Sequence, residues 1–351
     1  MMRTIVRRLL LLAPLLASGV SSGPAAAQNA VTFTTFGGIT QEAAVEGLLA
    51  EARQLGIRVN PEVHGGWPGV RAHLSAGAPG WDIISIGFAR CEAVSQAGWL
   101  RPLDYGIVDR SRVPENLARR DYVGMYTFTY GIAYNRTRVR TPPQSWADFW
   151  DVSRFPGRRA LMGEGLYALE AALMADGVPA DQVYATLRTP AGLDRAFAKL
   201  EQIKRNVAIW WRSPAQASQL LRDGEVDMIL ITSSRAADLA REGGNVGFVW
   251  NQAFLDAECW MVPRNAPNPE GAMRLINSAL DPRNQANFAN RIGFGPINPR
   301  AFDTGIIRRD SIPWLPTAPD NVGLQLRVDQ GWYASAEADA AYQRFSRFLQ
   351  Q

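Results

Sequence analysis

Residues 31–63 read VTFTTFGGITQEAAVEGLLAEARQLGIRVNPEV, and the order of their patterns decides the fold class. Residues 31–36 alternate in the manner of a strand, and Gly37-Gly38 breaks the run. Thr40 is placed to cap a helix over 41–54, whose apolar residues recur at helical spacing. Residues 58–63 return as a strand. The alternation continues outward: a helix over 67–76, a strand over 82–87 that is apolar at Ile83, Ile84 and Ile86, and a helix over 89–97 stopped by Gly98. Repeated β-α-β predicts an α/β fold with a parallel sheet and helices on both faces, because parallel neighbours need a crossover that a helix supplies.

A long strand rich in Tyr, Phe and Thr follows over 126–135, then a polar, proline-bearing exit over 136–143. A second β/α set begins there. Ser145 and Asp148 form an S-x-x-D capping box that opens a short helix through Trp150. Strands are expected over 159–162, 207–211, 227–232 and 246–250, with another running back over 257–262. Ser213 as cap, Pro214 in the first turn and Gly224 past the last turn bracket a helix. Further helices are expected over 166–176, 193–205, 233–242, 268–280, 284–291 and 336–349.

The chain of 351 residues is long enough for two domains, each with its own core. Its first 27 residues read as a secretory signal: Arg3, Arg7 and Arg8, an apolar run over 9–20, and Ala25-Ala26-Ala27 as the small residues before the cut. The run is too short to span a bilayer as a mature helix. The expectation is export to a bacterial periplasm with cleavage near Ala27. Without the three signal arginines the charge falls from +4 to +1, 34 basic residues against 33 acidic. A chain so near neutrality does not advertise nucleic acid as a partner. Export permits a disulfide, but two cysteines make no scaffold, and Cys91 and Cys259 are read as buried or half-buried thiols.

Four stretches resemble one family, in order and at family spacing. They are Ser145-Trp146-Ala147-Asp148-Phe149-Trp150, Asp223-Gly224-Glu225-Val226-Asp227-Met228, Pro269-Glu270-Gly271-Ala272 with Leu275-Ile276-Asn277, and Ile292-Gly293-Phe294-Gly295-Pro296. Each is similar to a signature of the solute-binding proteins of ABC importers, spermidine/putrescine type. The likeness implies a bilobal periplasmic-binding-protein fold of type II, in which two α/β lobes joined by two β-strand crossovers close on a ligand. With crossovers near 130–135 and 257–261, lobe 1 is 28–133 plus 259–302 and lobe 2 is 134–258 plus 303–351. The implied protein is a monomer, without cofactor or metal, that captures a small polyamine-like cation and delivers it to an inner-membrane ABC permease.

Ligands of open α/β folds sit at the carboxyl ends of strands. Phe36 ends the first strand, where the family carries an aromatic against the ligand's methylenes; otherwise it is a core residue. Gly37 and Gly38 leave backbone N–H groups open, and Ile39 stands where the family often has a tyrosine. Glu164 and Glu258 fall where polyamine binders place acids for amines. Two carboxylates in one cleft need a cation, unless each pairs with an arginine. Tyr167 replaces a further acid and Phe294 a tyrosine. Aromatic faces attract alkylammonium groups by ~0.5–2 kcal/mol each. That selects Trp211, the last strand residue, whose neighbour Trp210 points to the other face, and Tyr333 of the late Trp332-Tyr333 pair. Arg90 is a solvated arginine unless it faces the cleft. In the cleft, with Gly37 and Gly38, it would take a carboxylate or phosphonate and make the ligand zwitterionic.

Two other readings compete. An enzyme on the same fold would use Cys91 as nucleophile and Glu258 as base, but no H-E-x-x-H or P-loop pattern accompanies them. A ferric-ion binder would need paired tyrosines, which the chain lacks; His64 and His73 are expected on the surface or a helix, far from the cleft.

Overall fold

The computed structural model describes residues 29–351, so the expected signal lies outside the described residues. Ten strands are present: β1 (Ala30–Thr35), β2 (Arg58–Val63), β3 (Ile83–Gly87), β4 (Tyr122–Asn135), β5 (Arg159–Met162), β6 (Val207–Trp211), β7 (Met228–Thr232), β8 (Val246–Met261), β9 (Gly295–Pro296) and β10 (Leu326–Arg327). They form one sheet in the order β2-β1-β3-β8-β4-β7-β5-β6, with β9 beside β4 and β10 beside β8.

The expected parallel sheet occurs twice. β1 pairs in parallel with β2 and β3, and β5 with β6 and β7. Between these halves β4 and β8 run antiparallel to each other and to β3 and β7. Both strands pass through both halves, which makes the molecule bilobal. β8 unites the two strands expected over 246–250 and 257–262 across an irregular stretch where Gln252 has φ 61°. Trp146 of the S-W-A-D-F-W signature holds that stretch. Its backbone N–H donates to Gln252 Oε1 (3.2 Å), its indole donates to the Gln252 carbonyl (2.9 Å), and its ring stacks on Phe254 at 5.4 Å.

Local signals were realised unevenly. Ser213 and Asn268 cap their helices, accepting from the N–H groups of Gln216 (3.2 Å) and Gly271 (3.0 Å). Ser145 makes no capping bond; Asp148 instead accepts from the Gln144 N–H (2.6 Å). Thr40 lies inside its helix, which starts at Gly38, passes into a π-helical turn over Ala44–Leu48 and ends there. In that turn Gly47 lies against the next layer so closely that a Cβ would stand 2.9 Å from Phe288 Cα.

The first half packs apolar side chains on both sheet faces, Phe33 and Trp260 on one and Cys91, Val94 and Met261 on the other. The second half has one large core built from Trp146, Leu169, Leu173, Leu200, Ile231 and Phe345. Beyond the boundary expected at 302, Ile307, Leu315 and Ala318 still pack on Ala286 and Ala289 of the helix Pro282–Ile292. Among the described residues no helix is long and apolar enough to cross a membrane.

Cys91 and Cys259 are bridged, with Cα atoms 6.6 Å apart, which corrects the reading of two thiols. The spacing lies in the range a disulfide spans. Sequence distance hid it, since 168 residues separate the pair. β3 pairs Ile86 with Cys259, and the helix Phe88–Gln96 that leaves β3 carries Cys91 back to the same place. Replacing both cysteines by serine is expected to lower stability by ~2–4 kcal/mol, because the unfolded chain regains the freedom of a long loop. Denaturant titration checks this; a wild-type midpoint indifferent to reductant would mean that the bridge does not form.

Candidate functional site

The two halves meet along β4 and β8. Register sets Tyr126 opposite Glu258, Phe128 opposite Asp256 and Tyr130 opposite Phe254. Opposed residues share a face, so these six side chains form one stripe across the junction. Irregularities between Gly124 and Tyr126 and between Tyr130 and Ile132 bound it. At the second, Gly131 is obligatory, since a Cβ would lie 2.7 Å from the Phe248 ring.

Glu258 is 8% exposed and accepts from Ser85 Oγ (2.8 Å). Burial pushes its carboxyl up to about 7; the serine opposes the shift and Asp256 adds to it. Asp256 is half-buried and already served: Tyr167 Oη (2.9 Å), Gln330 Nε2 (2.7 Å) and the Ala257 N–H (2.7 Å) donate to it. Burial raises it too, against those three donors. Phe294 stacks on Tyr126 at 5.0 Å and reaches Phe128 at 6.2 Å, giving an apolar wall on the first half.

Tyr130 is the centre of the stripe's other end. Burial lifts its hydroxyl up to about 12, the charge of Arg235 opposes the shift, and Glu164 and Asp256 add to it. Opposite charges from two elements therefore act on one phenol. Arg235 is half-buried in the first turn of the helix Ser233–Arg241 and donates to Ser218 Oγ (3.3 Å). Glu164 is exposed, with no hydrogen bond or ion pair among the described residues. Trp211 is 2% exposed, stacks on Tyr130 with ring centroids 6.4 Å apart, and donates its indole N–H to the Leu230 carbonyl (3.0 Å).

Tyr167 adopts φ 63°, a left-handed conformation that costs a non-glycine residue energy. The conformation is held by its hydroxyl bond to Asp256, a 3.3 Å bond from its N–H to Tyr333 Oη, and ring contacts to Tyr130 and Phe254 at 5.0 and 5.1 Å. Tyr333 is buried and donates to Glu170 Oε1 (2.5 Å).

Phe36 is 53% exposed, and its exposed neighbours are Ile39 and Val63. Its ring meets His64 edge-on at 4.5 Å. His64 is thus neither on the surface nor remote. It is buried, its Nε2 lies 3.0 Å from the Ser85 carbonyl and its Nδ1 accepts from the Gly66 N–H (3.2 Å). Burial pulls its pKa down. His73 does lie on a helix, stacked on Trp81 at 3.6 Å. Gly37 has φ 82° and a Cβ there would lie 2.8 Å from Val63, so glycine is required; its N–H donates to Thr35 Oγ1 (3.3 Å). Gly38 follows with φ 65°. Arg90 is half-buried, with its guanidinium 5.2 Å over the Trp67 ring and its charge felt by Tyr342 of the other half.

Phe294 and Glu258 thus fall on the junction stripe, and Glu164 and Tyr167 beside it. Phe36, Gly37, Gly38 and Arg90 gather around His64 and Trp67. The bridge leaves Cys91 no thiol, which removes it as a nucleophile. Sequence reasoning missed Tyr130, Asp256, Arg235 and Glu170. The alternation Tyr126, Phe128, Tyr130 was a signal for the first, and a lone acid in the apolar run ALEAALMA for the last. A cavity of about 680 Å³ opens beside β4 and β8, lined among others by Thr127, Leu255, Asp256, Ala257 and Gln330; none of the residues selected from sequence lines it.

Residues 50–313 match the family described as bacterial extracellular solute-binding protein. The chain is 32% identical over 333 residues to the gamma-aminobutyric acid-binding protein of Pseudomonas aeruginosa, covering 92% of this chain and 91% of that one. It is 27% identical over 156 residues to the spermidine/putrescine-binding periplasmic protein of Escherichia coli, 44% of this chain and 42% of that one. Among solved structures, an ABC transporter substrate-binding protein of Bradyrhizobium japonicum superposes with a TM-score of 0.84 at 37% identity, covering 91% of this chain and 99% of that one.

The raised Glu258 carboxyl has a consequence for stability. A folded-state pKa above the unfolded value of 4.5 means that the native state holds the proton more tightly. Its contribution is fully present below 4.5 and is lost as pH rises through about 7. Glu258→Gln should therefore narrow the gap in unfolding free energy between acidic and alkaline buffers. Denaturant midpoints at both ends of that window measure it, and an undiminished gap would place the titration elsewhere.

Proposed function

The chain belongs to the bacterial extracellular solute-binding protein family and is a substrate-binding component of an ABC transporter, and from that premise we propose that it captures a small zwitterionic amino compound between its halves. The observation that carries this reading is the pair of opposite charges at Tyr130, Arg235 and Glu164. A diamine asks for an anion at each end. Here Glu258 and Asp256 are already hydrogen-bonded and shifted toward neutrality, while Arg235 has no carboxylate in salt-bridge contact among the described residues. The ligand's carboxylate would meet Arg235, and the walls Phe36 and Phe294 would take its methylenes. The relative that is 32% identical over 91% of its own length is, by name, a binder of gamma-aminobutyric acid, whereas binders named for polyamines match at 27% identity over 44% of this chain and at 24% over 71%. A polyamine-like cation is the second reading; the unpaired Glu164 favours it.

In this reading the protein works in the periplasm as a monomer, performs no chemistry and presents its closed form to an inner-membrane permease. Its moving parts are the expected lobes, 28–133 plus 259–302 and 134–258 plus 303–351, with Ile307, Leu315 and Ala318 going with the first, on which they pack, and β4 and β8 bend between the irregularities that bound the stripe.

Calorimetry of the ligand-stripped mature protein is expected to give low-micromolar or tighter binding of 4-aminobutanoate or 5-aminopentanoate. Arg235→Gln is expected to weaken it at least tenfold, the loss of a charge-assisted hydrogen bond of ~1.5–3 kcal/mol. Tight putrescine binding that Arg235→Gln leaves intact would replace the zwitterion by the polyamine reading.

A further inference from the structure

The cavity of about 680 Å³ beside β4 and β8 is large enough for a small organic molecule, and none of the groups given to the zwitterion lines it. Thr127, Leu255 and Ala257 alternate along their strands with Phe128, Asp256 and Glu258 of the stripe, so their side chains point to the other face of the sheet. Phe88, Leu117 and Ile297 wall the cavity from the first half, where they pack with Cys91, Tyr122 and Val123. Val328 walls it from the second half, where it belongs to the core around Trp332. An occupant therefore bridges the two halves, and most of what it touches is apolar.

Four charged residues line it: Arg119, Arg327, Asp256 and Asp329. The two acids are already served. Asp329 pairs with Arg188 (2.7 Å) and accepts from the Trp332 N–H (3.0 Å), and Asp256 has its three donors. The two arginines are not. Arg119 lies beside the Tyr122 hydroxyl, and neither guanidinium makes an ion pair among the described residues. Both are exposed, so the uncompensated charge stands where solvent meets the apolar walls. A ligand that complements this distribution carries an anion at one end and an apolar body at the other. A carboxylate suits the anion, because the guanidinium fork matches its two oxygens. An alkylammonium would meet two like charges and find both acids occupied.

We propose that this cavity is a binding site for a small carboxylic acid with an aliphatic body. The acid group meets Arg119 and Arg327, and the chain lies along Leu117, Leu255, Ile297 and Val328. The site stands apart from the one given to the amino compound, which uses Arg235, Phe36 and Phe294, so failure of either leaves the other intact.

The test is calorimetry of the mature protein with butanoate, hexanoate and octanoate, and with octanamide as the uncharged counterpart. Octanoate should bind with sub-millimolar affinity and more tightly than octanamide. Affinity should climb along the acid series, by up to about fourfold for each methylene buried. Arg119→Gln and Arg327→Gln together should weaken octanoate at least tenfold and bring it level with octanamide. Both positions are exposed, so the double variant keeps its core. Arg235→Gln should leave octanoate binding as it was. No octanoate binding by wild type, equal binding of acid and amide, or octanoate binding indifferent to both arginines overturns the site. Octanoate binding lost on Arg235→Gln alone would put the acid in the amino compound's place and overturn it as well.

Discussion

The antiparallel pairing of β4 with β8 is the constraint on which the rest depends. Each half is a parallel α/β sheet whose strands end toward the junction. Without a shared pair of strands the halves would have no fixed relation. Backbone hydrogen bonds along the pair set that relation, and they set the register that puts Tyr126, Phe128 and Tyr130 beside Glu258, Asp256 and Phe254. A one-residue slip would send all six side chains to the opposite face. In the proposed closure, the irregularities at either end of the stripe would confine bending to a few residues and let the halves move while the stripe stays paired.

The same geometry concentrates polar groups where water is scarce. Glu258 and Asp256 on β8 and Glu170 on the helix Ala168–Ala175 are all held by hydroxyl, amide or backbone donors in place of arginines. The arginines are abundant, and those that make ion pairs, such as Arg195 with Asp176 and Arg344 with Asp194, do so on exposed surface where each pair contributes little. Arg235 and Arg90 stand apart, half-buried and without such partners among the described residues. Buried acids lacking cations and half-buried cations lacking acids are what the proposed zwitterion would complement.

What the sequence disclosed follows the range of its signals. Strand alternation and helix periodicity are local, so the β/α order was legible to within a few residues, and caps at Ser213 and Asn268 sit where their residue types put them. The S-W-A-D-F-W motif was legible as a signature but not as a clamp on Gln252, because the two lie 106 residues apart. Periodicity says that neighbouring tryptophans point to opposite faces; it does not say that Tyr130 of another strand will stack on one of them. His64 read as an ordinary polar residue until β3 brought the Ser85 carbonyl to its ring. Arg235 and Asp256 acquire meaning only through partners far along the chain.

The bridge between Cys91 and Cys259 makes the molecule's rigidity depend on where it is. In a reducing compartment the thiols stay apart and the span between them is an open polymer loop; in an oxidising one it is covalently closed. A polypeptide that must be threaded through a narrow channel before it serves is helped by being loose first and locked afterwards. In the proposed periplasmic reading, two cysteines, one placed by strand register and one by the helix Phe88–Gln96, would supply that order in time.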